Sequence, residues 1–343
     1  MQKEYDLIVV GGGLAGVSCA LQAAETRQQV LLVERRPTLG WESTWAAQLD
    51  YSGVYTPIGK EILSLLDRVG GLRGPVADGP ILEIAFDRLV REAGVSVLLY
   101  SYPVRLLYED QYAFGVVLAS RCGEQVVQGR VIVDATEEAA LWSQTNVQAE
   151  TPERVSGRYS FFMNHARTGL SLPLKLGDGL VIQPCVWDGE VQVEYTIEEA
   201  SALAARRVLP EMIRRARQVP QLKDALVSHV ANEPYPLSPL ARFADSEIAH
   251  PDLRNLFGGG IWASGEENTP AGRLALGEQV GNAVTACEGL DKLPPASLAG
   301  SVIGRAGWTS DVLIVGGGTG GAIAAIVAAR EGIETTLIET GLS

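Results

Sequence analysis

Two segments of this chain, 305 residues apart, share one pattern. Asp6-Leu7-Ile8-Val9-Val10 runs into Gly11-x-Gly13-x-x-Gly16, then Ala20 and Glu34; Asp311-Val312-Leu313-Ile314-Val315 runs into Gly316-x-Gly318-x-x-Gly321, then Ala325 and Glu339. A short apolar strand, a glycine turn, a helix and a second strand ending in an acid make a parallel βαβ unit. Each position has a mechanical reason. Gly11 permits the tight turn, Gly13 lets backbone N–H groups approach a pyrophosphate, and Gly16 allows helix and strand to pack closely. The helix N-terminus turns its partial positive charge toward the phosphates, and Glu34 stands where a ribose diol would bind. The duplication therefore predicts a dinucleotide-binding α/β fold, begun twice.

Composition narrows this further. Glycine supplies 38 of 343 residues, about 11% against a usual share of about 7%. With 28 basic and 41 acidic residues the formal charge is −13, which argues against sequence-independent nucleic-acid binding. The three histidines and four cysteines are scattered, with no C-x-x-C pair, so neither a zinc site nor an active dithiol has local support. Residues 5–24 are almost uncharged, but Lys3, Glu4, Asp6 and the three glycines suit a strand and helix rather than a leader peptide. No membrane span is expected, and free thiols suggest the cytoplasm.

Along the chain, helical periodicity is expected at 57–69, 80–93, 197–219, 221–231 and 274–290. Strands are expected at 95–100, 104–109, 112–120, 125–128, 131–134, 156–164, 179–186, 190–196 and 256–263, with a loop over 35–56. The expected division is a discontinuous cofactor-binding domain at 1–150 and 245–293, a substrate or cap domain at 151–244, and a linker at Pro294-Pro295 leading into an incomplete second βαβ unit within 294–343.

Three places carry a resemblance: Gly11 to Glu34, the strand Val131-Ile132-Val133-Asp134-Ala135-Thr136, and Asn255 to Glu266 followed by a helix. Together they resemble FAD-dependent oxidoreductases of the glutathione-reductase-like (GR2-type) superfamily over roughly residues 4–291. The resemblance implies an α/β fold, a Rossmann-like FAD-binding domain with a parallel sheet and an inserted mixed α+β substrate domain. It implies FAD as cofactor, held by Gly11, Gly13, Leu14, Ala15, Gly16, Glu34, Arg35, Thr44, Ala135, Thr136, Gly265, Glu266 and Gly272. The helix opened by Thr269-Pro270-Ala271-Gly272 would face the pyrimidine end of the flavin ring. The chain departs from the family pattern at Glu137-Glu138, at Glu266, and at Gly40-Trp41-Glu42-Ser43-Thr44, where relatives often carry two glycines.

The implied activity passes a hydride from a small organic substrate to flavin N5, with reoxidation by oxygen or an electron carrier. Candidate catalytic groups are Glu42 as a proton acceptor, Trp45 as a wall of the ring site, and His165 as a general base. Two other readings stay open: a degenerate nucleotide-binding or assembly module, and an NAD-dependent dehydrogenase.

Overall fold

The apolar run before the first glycine turn forms β1 (Glu4–Val10), whose last four residues are buried, as a central parallel strand requires. The computed structural model describes residues 4–26, 29–177, 179–243, 248–263, 267–287 and 309–339. Helix α1 (Leu14–Ala24) and β2 (Val30–Val33) complete the first βαβ unit, with Leu7 opposite Val30 and Val10 opposite Val33. There follow α2 (Trp41–Thr44), α3 (Pro57–Arg68), α4 (Gly79–Glu92), β3 (Ser96–Leu98), β4 (Tyr102–Glu109), β5 (Tyr112–Ser120) and β6 (Gly123–Asp134). The second half brings β7 (Gly157–Asn164), β8 (Val181–Pro184), β9 (Val191–Ile197), α5 (Ala202–Ala216), β10 (Leu226–Val230), β11 (Leu256–Gly258) and α6 (Pro270–Thr285).

The first sheet runs β3-β2-β1-β6-β5-β4, with β11 also paired to β6. Strand β6 serves two partners on that side. Its first half pairs antiparallel with β5, and its second half lies parallel to β1 and β11, Ile132 standing opposite both Ile8 and Leu256. Leu7 and Val9 join the core built with α1 and α6. Ile8 and Val10 face a cluster containing Trp142, Phe243 and Trp262. Helices α1 and α6 approach closely: a Cβ on Gly277 would lie 2.2 Å from the Ala15 carbonyl oxygen, and Ser18 Oγ donates to the Leu274 carbonyl at 2.9 Å. That contact holds the start of α6 beside the glycine turn.

The second sheet is antiparallel, in the order 174–175, β8, β9, β7, β10, with 235–236 beside β7. Tyr159, Phe161, Met163, Val193 and Tyr195 pack into the core with Ala205 of α5, while Arg158, Gln183, Gln192 and Glu194 line a cavity. One sheet thus has an apolar back and a polar front.

Several expectations are corrected. Residues 221–231 are not helical: a short 3-10 turn at Pro220–Leu222 leads into β10, which pairs with the edge of β7, so strand addition overrides local periodicity. The helix expected from 197 starts at Ala202, where Ser201 Oγ accepts the Ala204 N–H at 3.2 Å. The loop over 35–56 contains α2, the strand at 256–263 turns into a 3-10 segment at Ile261–Ala263, and 125–128 and 131–134 belong to one strand.

The chain divides into two compact units, Met1–Pro295 and Ala296–Ser343. In the second, β12 (Val312–Val315) pairs in parallel with β13 (Thr335–Ile338) across α7 (Thr319–Arg330), and no residue of α7 is buried. The expected linker at Pro294-Pro295 lies outside the described residues.

Candidate cofactor site and cavity

Gly11 has φ +108°, and a Cβ there would sit 2.4 Å from the Ala135 carbonyl oxygen. Glycine is needed both for the turn and for the approach of β6. A Cβ on Gly16 would lie 1.8 Å from the Gly11 carbonyl oxygen, which is the close helix–strand packing expected of the third glycine. Glu34, at the end of β2, accepts the Gly12 N–H at 2.7 Å on one oxygen; on the other it accepts the Arg36 N–H at 2.8 Å and Arg36 Nη1 at 3.2 Å. Burial pushes its carboxyl up, and Arg36 pulls it back.

Ala135 N–H donates to the Val10 carbonyl at 2.7 Å. Thr136 donates through N–H and Oγ1 to Asp134 at 3.1 and 2.7 Å, and Asp134 also accepts the N–H groups of Leu141 and Trp142 at 2.8 Å each. Asp134 therefore anchors the segment after β6. Its signal in the sequence was an acid closing the apolar run Val131-Ile132-Val133.

The N-terminus of α1 holds the main surprise. Gly40, at φ +62°, turns the chain into α2 beneath Phe86, and this places the Glu42 carboxylate over the glycine turn. Glu42 Oε2 accepts the Leu14 N–H at 2.9 Å, and Oε1 accepts Arg273 Nη1 at 2.7 Å. A Cβ on Gly13 would meet Glu42 Oε1 at 2.6 Å and Trp41 Nε1 at 3.0 Å. The room that Gly13 leaves is filled by the chain itself. Glu42 is 1% exposed; burial raises its pKa while Arg273 lowers it.

The departure at Glu137-Glu138 joins this cluster. Trp41 Nε1 donates to Glu137 Oε1 at 2.6 Å, and Glu137 Oε2 lies 3.6 Å from Arg36 and 3.7 Å from Arg35. Burial works upward on Glu137, but the guanidiniums of Arg36, Arg35 and Arg273 outweigh it and hold its carboxyl below the ordinary range. Glu138 pairs with Arg35 at 3.2 Å. Arg36 also grips Glu233 with two bonds of 2.7 and 2.8 Å and lies 4.2 Å above the Trp41 ring. Arg36, Glu233 and Arg273 were missed from sequence, since their partners lie up to 231 positions away.

At the other end, Thr269 Oγ1 caps α6 by accepting the Gly272 N–H at 3.1 Å. Thr269–Gly272 and the polar front of the second sheet line a cavity of about 790 Å³. The remaining candidates are placed elsewhere. Trp45 lines a separate cavity of about 230 Å³ with His229, whose ring stacks on Phe162 at 4.0 Å. His229 is on β10, not on a helix. Thr44 Oγ1 donates to the Leu39 and Gly40 carbonyls at 3.0 and 3.1 Å. His165 is exposed, at φ +62°, and lines none of these cavities. The structure therefore separates Glu42, Trp45 and His165: they form no common catalytic group. Gly265 and Glu266 lie outside the described residues.

The sequence model of the family described as FAD dependent oxidoreductase matches residues 6–172. The digeranylgeranylglycerophospholipid reductase of Methanosarcina acetivorans is 27% identical over 155 residues, 39% of this chain and 38% of that protein. The digeranylgeranylglycerophospholipid reductase 2 of Methanopyrus kandleri is 31% identical over 158 residues, 38% of this chain and 37% of that protein. The matched region thus spans under two-fifths of these relatives' length. Among solved structures, a geranylgeranyl bacteriochlorophyll reductase-like protein from Thermoplasma acidophilum has TM-score 0.58 at 15% identity, covering 83% of this chain and 78% of that one. Glycine oxidase from Geobacillus kaustophilus has TM-score 0.56 at 16% identity, covering 86% and 97%.

The fold is the α/β, Rossmann-like arrangement of FAD-binding oxidoreductases. Over residues 6–172 the chain is similar in sequence to the FAD-dependent oxidoreductases. Among the described residues no helix is long and apolar enough to cross a membrane.

The two ends of the site fit FAD unequally. The cavity at α6 has ample room for a ring and a substrate. Beside Gly11, Glu34, Arg36 and Glu137 the space is about 10 Å³, enough for one water. The pyrophosphate position is filled by Glu42 and Trp41, so in this conformation that end does not accept the cofactor.

Proposed function

We propose that this chain is a flavin-dependent oxidoreductase of the GR2 type acting on a small, polar, carboxylate-bearing substrate. The observation that carries the reading is the 790 Å³ cavity between the start of α6 and the polar front of the second sheet. Arg158 there donates through Nη1 to Gln48 Oε1 at 2.9 Å, and its positive charge works downward on the neighbouring Glu194 carboxyl, against burial; the rest of its guanidinium is available to meet a substrate carboxylate. Glu194, which accepts Gln183 Nε2 at 3.1 Å, and Asp50 line the same wall and favour a cationic or hydroxyl group on the substrate. Gln192 is oriented by the Ala47 carbonyl and Ser160 Oγ at 2.7 and 3.0 Å. Such a lining suits a polar molecule better than an isoprenoid chain.

When bound, FAD would supply the two-electron redox chemistry for hydride removal from the substrate. This chain's residues bind and orient the substrate against the start of α6. Within the reading, Gly11, Gly13, Leu14, Ala15, Gly16, Glu34, Arg35, Ala135 and Thr136 serve the adenosine-diphosphate end, and Gly272 the ring end. Residues 1–150 and 245–293 form the cofactor domain and 151–244 the substrate domain. A second dinucleotide-binding domain opens at Asp311, and the protein works in the cytoplasm, in keeping with four unbridged cysteines.

The test is the visible spectrum of the protein with FAD, followed during anaerobic addition of hydroxy and amino acids. Bleaching by one of them is expected, and Arg158→Ala should raise KM about ten- to hundredfold with kcat little changed, the loss of one charge-assisted contact. No bleaching by any of these acids, with reoxidation of chemically reduced flavin by an unsaturated polyprenyl lipid instead, would overturn the substrate class. A second reading, a nucleotide-type module without bound flavin, is favoured by one observation: the Glu42 carboxylate on the N-terminus of α1.

A further inference from the structure

We infer that Glu42 is a built-in occupant of the pyrophosphate subsite, so that a dinucleotide enters the first unit only by displacing it. The inference rests on the turn geometry and concerns the phosphate end alone. It goes beyond the flavin reading, because any ligand with a pyrophosphate is affected.

Three observations converge. First, the Leu14 N–H, which the glycine turn exists to present to a phosphate, already donates to Glu42 at 2.9 Å, and the second Glu42 oxygen holds Arg273. A carboxylate backed by a guanidinium at a helix N-terminus reproduces the charge and the acceptors of a bound phosphate. Second, the cluster is already anionic. Glu34, Glu42, Glu137 and Glu233 are buried against two buried guanidiniums, Arg36 and Arg273, and the quarter-exposed Arg35. A doubly charged pyrophosphate added to four carboxylates and three guanidiniums would be repelled unless a carboxylate leaves. Third, Arg273 keeps Nη2 buried without a hydrogen-bond partner among the described residues, while Nε is bound to Tyr235 and Asn268 at 3.1 and 3.0 Å. Its guanidinium is thus one acceptor short. A phosphate with several free oxygens would satisfy it more fully than the single Glu42 oxygen does.

The piece that has to move is small. Glu42 lies on the four-residue helix α2, entered through left-handed Gly40. Rotating its side chain off Leu14 frees the Leu14 N–H and Arg273, and the Trp41 ring beside Gly13, on the same helix, has to shift with it.

The experiment titrates the full chain with ADP and, separately, with FAD, by calorimetry, for the wild type, Glu42→Ala and Glu42→Gln. Glu42→Ala is expected to bind ADP at least tenfold more tightly than the wild type, with Glu42→Gln between them. Saturating ADP should raise the melting temperature of Glu42→Ala more than that of the wild type. Should Glu42→Ala not fold, Glu42→Gln keeps its shape and must still gain affinity. Equal or weaker ADP binding by the variants would overturn the inference. The two ligands separate it from the flavin reading. A variant that gains ADP but takes up no FAD leaves the occupant in place and removes the flavin. A wild type that holds FAD tightly, and loses it on substitution of Glu42, does the reverse.

Discussion

The two glycine turns of this chain share their φ angle, their tightest approach and a hydrogen bond, and differ in their surroundings. Gly11 and Gly316 have φ of +108° and +102°; a Cβ on Gly16 or on Gly321 would come within 1.8 Å of the carbonyl oxygen of Gly11 or Gly316. Gly12 N–H donates to Glu34 as Gly317 N–H donates to Glu339. The difference lies at the middle glycine. A Cβ on Gly13 would strike the Glu42 carboxylate at 2.6 Å, whereas one on Gly318 would have nothing within 4 Å among the described residues. The geometry of the turn is thus local, set by residues within one βαβ unit. Whether its helix N-terminus is free for a ligand is decided elsewhere: in the first unit, by a residue 28 positions beyond Leu14 and by its arginine on α6. A fingerprint identifies a turn, not an open site.

Breaking the Glu42–Arg273 pair from the cationic side should have the largest effect. Arg273→Ala leaves Glu42 and Glu137 buried with less compensation, and a loss of about 3–5 kcal/mol is expected in urea unfolding of the first unit. A loss below about 1 kcal/mol would show that the cluster is solvated and the subsite more open than described.

Alanine at the two middle glycines sharpens the contrast at intermediate size. Gly13→Ala forces a methyl against a pinned carboxylate and should cost about 1–3 kcal/mol. Gly318→Ala, an N-cap change with open space around it, should cost less than about 1 kcal/mol. Native-state hydrogen exchange on α1 and α7 reads each separately. In a Glu42→Ala background the cost of Gly13→Ala should shrink; additivity would refute the contact.

The smallest expected effect is on pH dependence. Burial raises the carboxyls of Glu34 and Glu42, against Arg36 and Arg273 respectively. A raised acid contributes stability that is fully present below its unfolded value of about 4.3 and is lost as pH rises through the folded value. Glu137, held down by Arg36, Arg35 and Arg273, contributes the opposite slope, lost only as pH falls through its lowered value. From pH 5 upward the first unit should therefore lose stability, and Glu42→Gln should lose less. Urea midpoints across that range decide it, and a wild type that gains stability as pH rises would contradict the assignment.

Much of the scaffold could be read from the chain, because β1, α1 and β2 are specified by consecutive residues and Glu34 by its place at a strand end. The carboxylates at 137 and 138 were visible as an anomaly beside a phosphate turn. What could not be read was their resolution. Arg36 is two residues past Glu34, yet it reaches Glu233 and Glu137, and Arg273 reaches Glu42 across the whole first unit. Such pairings depend on how α2, β6 and α6 converge, and no local periodicity encodes that. The strand at 226–230 was lost for a related reason: its pairing partner, β7, lies some 65 residues earlier, and His229 is placed by stacking on Phe162.

The most direct test of a self-occupied pyrophosphate subsite is a pair of crystal structures of this chain, without nucleotide and with ADP or FAD. Without nucleotide, the Glu42 carboxylate should accept the Leu14 N–H near 2.9 Å and hold Arg273. With nucleotide, Glu42 should have left Leu14 and a phosphate oxygen should take both donors. A bound pyrophosphate on the glycine turn with Glu42 still on Leu14 would contradict the account.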